Sequence, residues 1–177
     1  MRPFAYLPLA AACLLAACGS AEEAPAEAPL SAEEVMAEAG NAVRPQPGQY
    51  SSTVELIDFQ VPGVPAAMAA QMRSAVASGA AQGNQFCMTE ADADPKTMLQ
   101  NLAESDCTFS QFAVTGGTIK ADMACKGEGG VASRVQMDGT MTAQSSTMTM
   151  TMTQPIANVG DATIKMRVAS QRTGACS

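Results

Sequence analysis

Thr147-Met148-Thr149-Met150-Thr151-Met152-Thr153 decides the fold of this chain. Strict alternation of apolar and polar residues marks a strand with one face buried and one face wet. The pattern recurs on both sides of this stretch. Ile119, Ala121, Met123 and Cys125 alternate with Lys120, Asp122 and Ala124. Val131, Val135, Met137 and Met141 alternate with Ala132, Arg134, Gln136 and Asp138, and Ala162, Ile164, Met166 and Val168 alternate with Thr163, Lys165 and Arg167. Short connections between one-sided strands imply an antiparallel sheet with one apolar face.

Working upstream, residues 50–59 carry Val54 and Leu56 on one face, after which Ile57 and Phe59 switch parity. An extra residue, a β-bulge, is predicted near Leu56-Ile57. Pro65 opens a stretch with Met68, Met72 and Val76 at helical spacing, ending near Gly79. A short strand over residues 85–88 holds Cys87. A second helix is predicted with Asp94 as N-cap and Pro95 at its first position, burying Met98, Leu99 and Leu102. The predicted architecture is α+β and mostly β: a twisted, half-barrel-like antiparallel meander of six to seven strands, with two short helices on its apolar face.

The N-terminus carries a different signal. Arg2 precedes an uncharged run from Phe4 to Ala17 that closes with Leu15-Ala16-Ala17-Cys18. A helix needs about 20 apolar residues to span a bilayer core of roughly 30 Å, so this run is too short. Charge, apolar core and small-residue exit fit a secretory signal. Leu15, Ala16, Ala17 and Cys18 resemble the lipobox of bacterial lipoproteins, in which the cysteine is acylated and becomes the first mature residue. Gly19, rather than aspartate, follows Cys18, which by the same resemblance implies the periplasmic face of the outer membrane. The expected organisation is a signal peptide over 1–17, a lipidated acidic tether over 18–47, and a disulfide-bonded β-rich domain over 48–177. Within the tether, Ser31 and Glu34 make a capping-box pattern for a short helix over 31–39.

The net charge of −7 is concentrated in that tether, since six of the seventeen acidic residues lie between Glu22 and Glu38. From Gly48 onward eleven acids face eight bases, which leaves no basic footprint for nucleic acid. Four cysteines remain after Cys13 and Cys18: Cys87, Cys107, Cys125 and Cys176. An even number in an exported chain implies two disulfides. Cys107 and Cys125 flank Thr115-Gly116-Gly117 symmetrically, so a hairpin with a three-residue loop would set them opposite each other. The remaining pair is then Cys87–Cys176.

The domain resembles an uncharacterised bacterial family, domain of unknown function 3617. The resemblance lies in Pro47-Gly48-Gln49-Tyr50, Val61-Pro62-Gly63-Val64-Pro65, Cys87-Met88-Thr89, Asp106-Cys107, Gly116-Gly117, the Thr/Met strand from Thr147, and Arg172-Thr173-Gly174-Ala175-Cys176. Tyr50 stands where that family often has tryptophan. The resemblance implies an exported or lipid-anchored envelope protein, and it carries no catalytic residue with it.

Histidine is absent, which removes Ser-His-Asp and Cys-His constellations and the commonest general base. Asp92 and Asp94 are read as helix-capping residues rather than as a carboxylate pair. Gly127-Glu128-Gly129-Gly130 has no following P-loop lysine and is read as a hairpin turn. No enzyme activity and no cofactor are expected. The expected role is non-catalytic binding of an envelope partner or a small amphiphile by a protein held to the membrane through its lipid. The alternative is a Cu(I) site on Met148, Met150 and Met152, because thioethers select Cu(I). Alternate strand residues stand about 7 Å apart, so such a site would need partners such as Met137 or Met141.

Overall fold

A computed structural model of the chain describes residues 28–94, 97, 106–126, 132–156 and 160–176. The elements are α1 (Ala32–Ala39), β1 (Gly48–Gln60), α2 (Ala66–Ala80), β2 (Asn84–Met88), β3 (Cys107–Thr115), β4 (Thr118–Lys126), β5 (Ala132–Met141), β6 (Ser145–Ile156) and β7 (Gly160–Gly174). All seven strands form one open antiparallel sheet, ordered β2-β1-β7-β6-β5-β4-β3. Strands β3 to β7 meander in sequence. The N-terminal strand β1 then pairs with the last strand, so the two ends of the domain meet.

The register turns the sequence alternation into rows that cross the sheet. One row runs Val114, Ile119, Gly139, Met148, Val168, Val54; the next runs Phe112, Ala121, Met137, Met150, Met166, Leu56. A third runs Phe109, Met123, Val135, Met152, Ile164, Phe59. All three rows lie on one face. Keeping β1 in phase requires the predicted bulge: Leu56 pairs with Met166 and Asp58 with Lys165, leaving Ile57 as the extra residue.

The β3–β4 hairpin differs from the expected loop. Thr115 pairs with Thr118, so the loop has two residues, Gly116 and Gly117, at φ 57° and 80°. Positive φ at both central positions is what a twisted two-residue hairpin needs, and glycine adopts it without steric cost. That register alone would set Cys107 across from Lys126. A bulge at Ser110 shifts the pairing by one and returns Cys107 to Cys125. The cysteines meet as expected, by a tighter turn plus a bulge.

Both helices pack on the apolar face, but one is not the helix expected there. The helix predicted from Asp94 through Pro95, Met98, Leu99 and Leu102 lies outside the described residues beyond Asp94, Thr97 excepted. Gly127-Glu128-Gly129-Gly130 lies outside them too. The tether, by contrast, supplies a packed helix: α1 buries Val35 and Ala39 against Phe109, Ala121 and Met123. The reading of 18–47 as a free tether is therefore corrected for its last part. Leu30 donates its backbone N–H to the Phe109 carbonyl, and the Glu38 carboxylate accepts the Val114 N–H. Both contacts occupy the outer edge of β3, where unpaired backbone would otherwise face solvent. The Ser31–Glu34 capping box forms in both directions.

Helix α2 is attached more loosely. Pro65 is its N-cap and not its first residue, and no residue of α2 is buried. Met68 and Met72, which stand at helical spacing, are 53% and 38% exposed. Arg73 holds the helix to the β1 bulge, reaching the Ile57 carbonyl at 3.5 Å and Asp58 at 3.9 Å. The bulge thus both resets the strand and supplies the carbonyl that receives Arg73.

Candidate functional site

The apolar face is buried beneath α1, where Val35 and Ala39 cover Phe109, Ala121 and Met123. At its far corner, Met72 and Val76 of α2 line a cleft of about 230 Å³ with Phe59, Met152, Ala162 and Ile164. Between these two regions the sheet presents Val54, Leu56, Met148, Met150, Met166 and Val168, all half-buried. Among the described residues, these six belong to neither the cluster under α1 nor the lining of the α2 cleft. The result is a continuous uncharged strip across β1, β7 and β6 that runs into the cleft.

The strip is rich in methionine for a packing reason. Gly139 lies opposite Met148, and a Cβ at Gly139 would strike the Met148 thioether and the Thr147 carbonyl. The glycine therefore makes the space that the Met148 side chain fills. Methionine, unbranched and polarizable, fills such irregular gaps and can repack around a guest.

Met148, Met150 and Met152 share one face, as their spacing predicts, but their neighbours are only partly those expected. Met150 lies between Met137 and Met166 on the adjoining strands. Met141 instead faces Ser146. Met166, placed on the apolar face by its alternation, is not among the partners that the sequence suggests for such a site. Its signal was present in the sequence, because β6 and β7 both alternate and only three residues lie between them. Among the described residues no group of three or more His, Cys, Asp or Glu converges to hold a metal ion.

The other residues singled out by sequence fall elsewhere. Cys107 is bonded to Cys125 and Cys87 to Cys176. The first joins neighbouring strands; the second ties β2 to the residues beyond β7, across β1. Leu15, Ala16, Ala17 and Cys18 lie outside the described residues. Asp92 accepts from the Thr89 N–H and hydroxyl at 2.9 and 2.7 Å, and these bonds hold its carboxyl below the usual range. Asp94 faces Arg44 at 3.9 Å. Asp92 thus closes a local turn with Thr89, whereas the partner of Asp94 is distant in sequence.

A cavity of about 960 Å³ is lined by Asp122, Arg134 and Asp161 among others. Asp122 is engaged there by Arg134 through two bonds of 2.9 and 2.6 Å and by Gln136 at 3.2 Å. The Arg134 guanidinium chiefly holds the Asp122 carboxyl below its ordinary range. A carboxylate fully occupied by a bidentate arginine is a structural pair, so the apolar strip is the stronger candidate site.

The family model described as "Protein of unknown function (DUF3617)" matches residues 45–176. The chain belongs to this family. The match takes in every strand of the sheet, both disulfides, α2 and the whole strip, and it begins after α1. Within this DUF3617 chain, α1 therefore lies outside the matched range, on its N-terminal side. No curated protein and no solved structure matches the chain.

Proposed function

We propose that this DUF3617 protein is a non-catalytic binder of a small amphiphile, held at the bacterial envelope by a lipid on Cys18. The observation that supports binding is the strip itself: six half-buried apolar side chains without a charge among them, leading into an apolar cleft. Ligand sites are mostly apolar and concave with few polar groups. The absence of histidine in the chain, and the occupied state of Asp92, Asp94 and Asp122, favour binding over catalysis.

The envelope reading rests on Leu15-Ala16-Ala17-Cys18 and on Gly19, which favours the periplasmic face of the outer membrane. It is supported by the two disulfides, which suit an oxidising compartment. An envelope protein docking on the same face is the competing occupant. Lipid extraction of protein purified from the envelope, followed by mass spectrometry, tests the proposal. A stoichiometric co-purifying amphiphile is the expected result, and a lipid-free protein would count against it.

One observation favours a second reading. Met137, Met150 and Met166 stand side by side on three strands, and cross-strand neighbours have Cβ atoms about 5 Å apart. Three thioethers in that arrangement suit Cu(I). Calorimetric titration with Cu(I) decides it: binding no tighter than micromolar ends the copper reading.

A further inference from the structure

Along the strands, the chemistry of the apolar face changes. Two residues beyond Met148, Val168 and Val54, the next row is Ser146, Ser170 and Ser52, continued by Asn84 on β2. Ser52 is buried and hydrogen-bonded to the Ser170 hydroxyl. A cavity of about 120 Å³ adjoins this row, lined by Thr142, Ser145, Ser146, Ser170, Tyr50 and Phe86 among others. The Thr142 hydroxyl bonds that of Ser145, whereas no side-chain bond engages Ser146 among the described residues. At a share of about 30 Å³ per water, it has room for roughly four waters or a head group of that size. No charged residue lines it among the described residues. Arg172, the cation paired with Tyr50 on this face, gives its Nε–H to the Pro47 carbonyl at 3.0 Å.

At the opposite end lies the cleft under α2, which is also uncharged. Ser170 and Ile164 mark the two ends on β7. Six residues of strand span about 20 Å, somewhat more than one leaflet of a hydrocarbon core about 30 Å thick. A membrane acyl chain therefore fits between the serine row and the cleft. The cleft has room for the end of one such chain.

We infer that the ligand is a single-chain amphiphile with a small, uncharged, hydroxyl-bearing head, of the monoacylglycerol class. Its head sits at Ser146 and Ser170 and its chain runs over Met148 and Met150 to end beneath α2. The inference rests on the amphiphile-binding reading above. A charged head would leave water for a site with no counter-charge, which is costly. A hydroxyl head bonds the Ser146 hydroxyl instead and shares that of Ser170, which also bonds Ser52.

Photo-cross-linking of the full chain in phosphatidylcholine vesicles tests this. Two monoacylglycerol probes are used, one with a diazirine beside the head and one with it at the chain end. Head-probe adducts are expected on Met141, Ser146 or Ser170, and tail-probe adducts on Met72, Met152 or Ile164. The Ser146→Val variant should lower head-probe labelling about fivefold, the scale of one neutral hydrogen bond, while tail labelling persists. A fatty acid carrying the same tail diazirine should label weakly. Absence of adducts anywhere on the strip would overturn the binding reading itself. Strip labelling without head-to-tail order, or equal labelling by the fatty acid, would overturn only the present inference.

Discussion

Gly139 and Met148 illustrate how one small residue sets the content of a whole face. Replacing Gly139 with alanine forces its methyl group into the Met148 thioether and the Thr147 carbonyl. Overpacking of this kind costs about 1–3 kcal/mol, and a lowered thermal midpoint by circular dichroism should report it. Gly79→Ala is the control: its Cβ meets nothing within 4 Å, and it lies in α2. There alanine should stabilise by about 0.5–1 kcal/mol through helix propensity and chain entropy. Asp122 makes a prediction in pH. Arg134 lowers its carboxyl pKa in the folded protein, below the ordinary 3.8. A depressed folded pKa means the stabilisation is complete above the unfolded value and is lost as pH falls through the folded one. Asp122→Asn should therefore be less stable than wild type at neutral pH, by up to about 1 kcal/mol for a pair whose arginine is exposed. The gap should narrow below pH 3.8; denaturant titrations at neutral and acid pH measure it.

The elements divide into those that alternation reveals and those it hides. The strands were legible because apolar residues recur at alternate positions through much of β4 to β7, and parity alone located the bulge at Ile57. The Ser110 bulge carried a weaker sign of the same kind: Phe109 and Phe112 share a face although they are three apart. The helices were harder to read. Helix α1 buries only a valine and an alanine, and alanine is as common in acidic tethers as in cores, so composition concealed its docking. Helix α2 shows the reverse, with methionines at helical spacing that remain exposed because the bulge, and not a deep core, holds the helix. Two outcomes follow. Val35→Ala removes two buried carbons' worth of contact, about 1.6 kcal/mol at 0.8 per CH₂. It should also speed hydrogen exchange at the Val114 amide, which Glu38 holds. The amides of α2 should exchange well before those of β6 and β7, since α2 has no buried residue to resist local opening.

For the molecule as a whole, the docking of α1 changes the geometry of the proposed anchor. If the fixed body began at Pro47, some 29 residues of tether would reach about 100 Å. With Leu30 bound to β3, only about 12 residues separate Cys18 from the body, which limits its distance from the bilayer to about 40 Å. The domain would then stay near the lipid surface from which an amphiphile is drawn. Cys18→Ser is expected to move the protein from the membrane to the soluble fraction, and continued membrane retention would contradict the lipidation proposal. The sequence showed the sheet, the disulfides and the apolar face; it hid the strip, because the strip depends on which parts of that face the helices leave half-covered. Met150 lies at the centre of that strip. Native mass spectrometry of the wild-type protein and of Met150→Lys, both purified from the envelope, tests the central proposal most directly. The account predicts a lipid-mass adduct on the wild type that the lysine variant loses while keeping its β-sheet spectrum. Equal adducts on both proteins, or none on either, would contradict it.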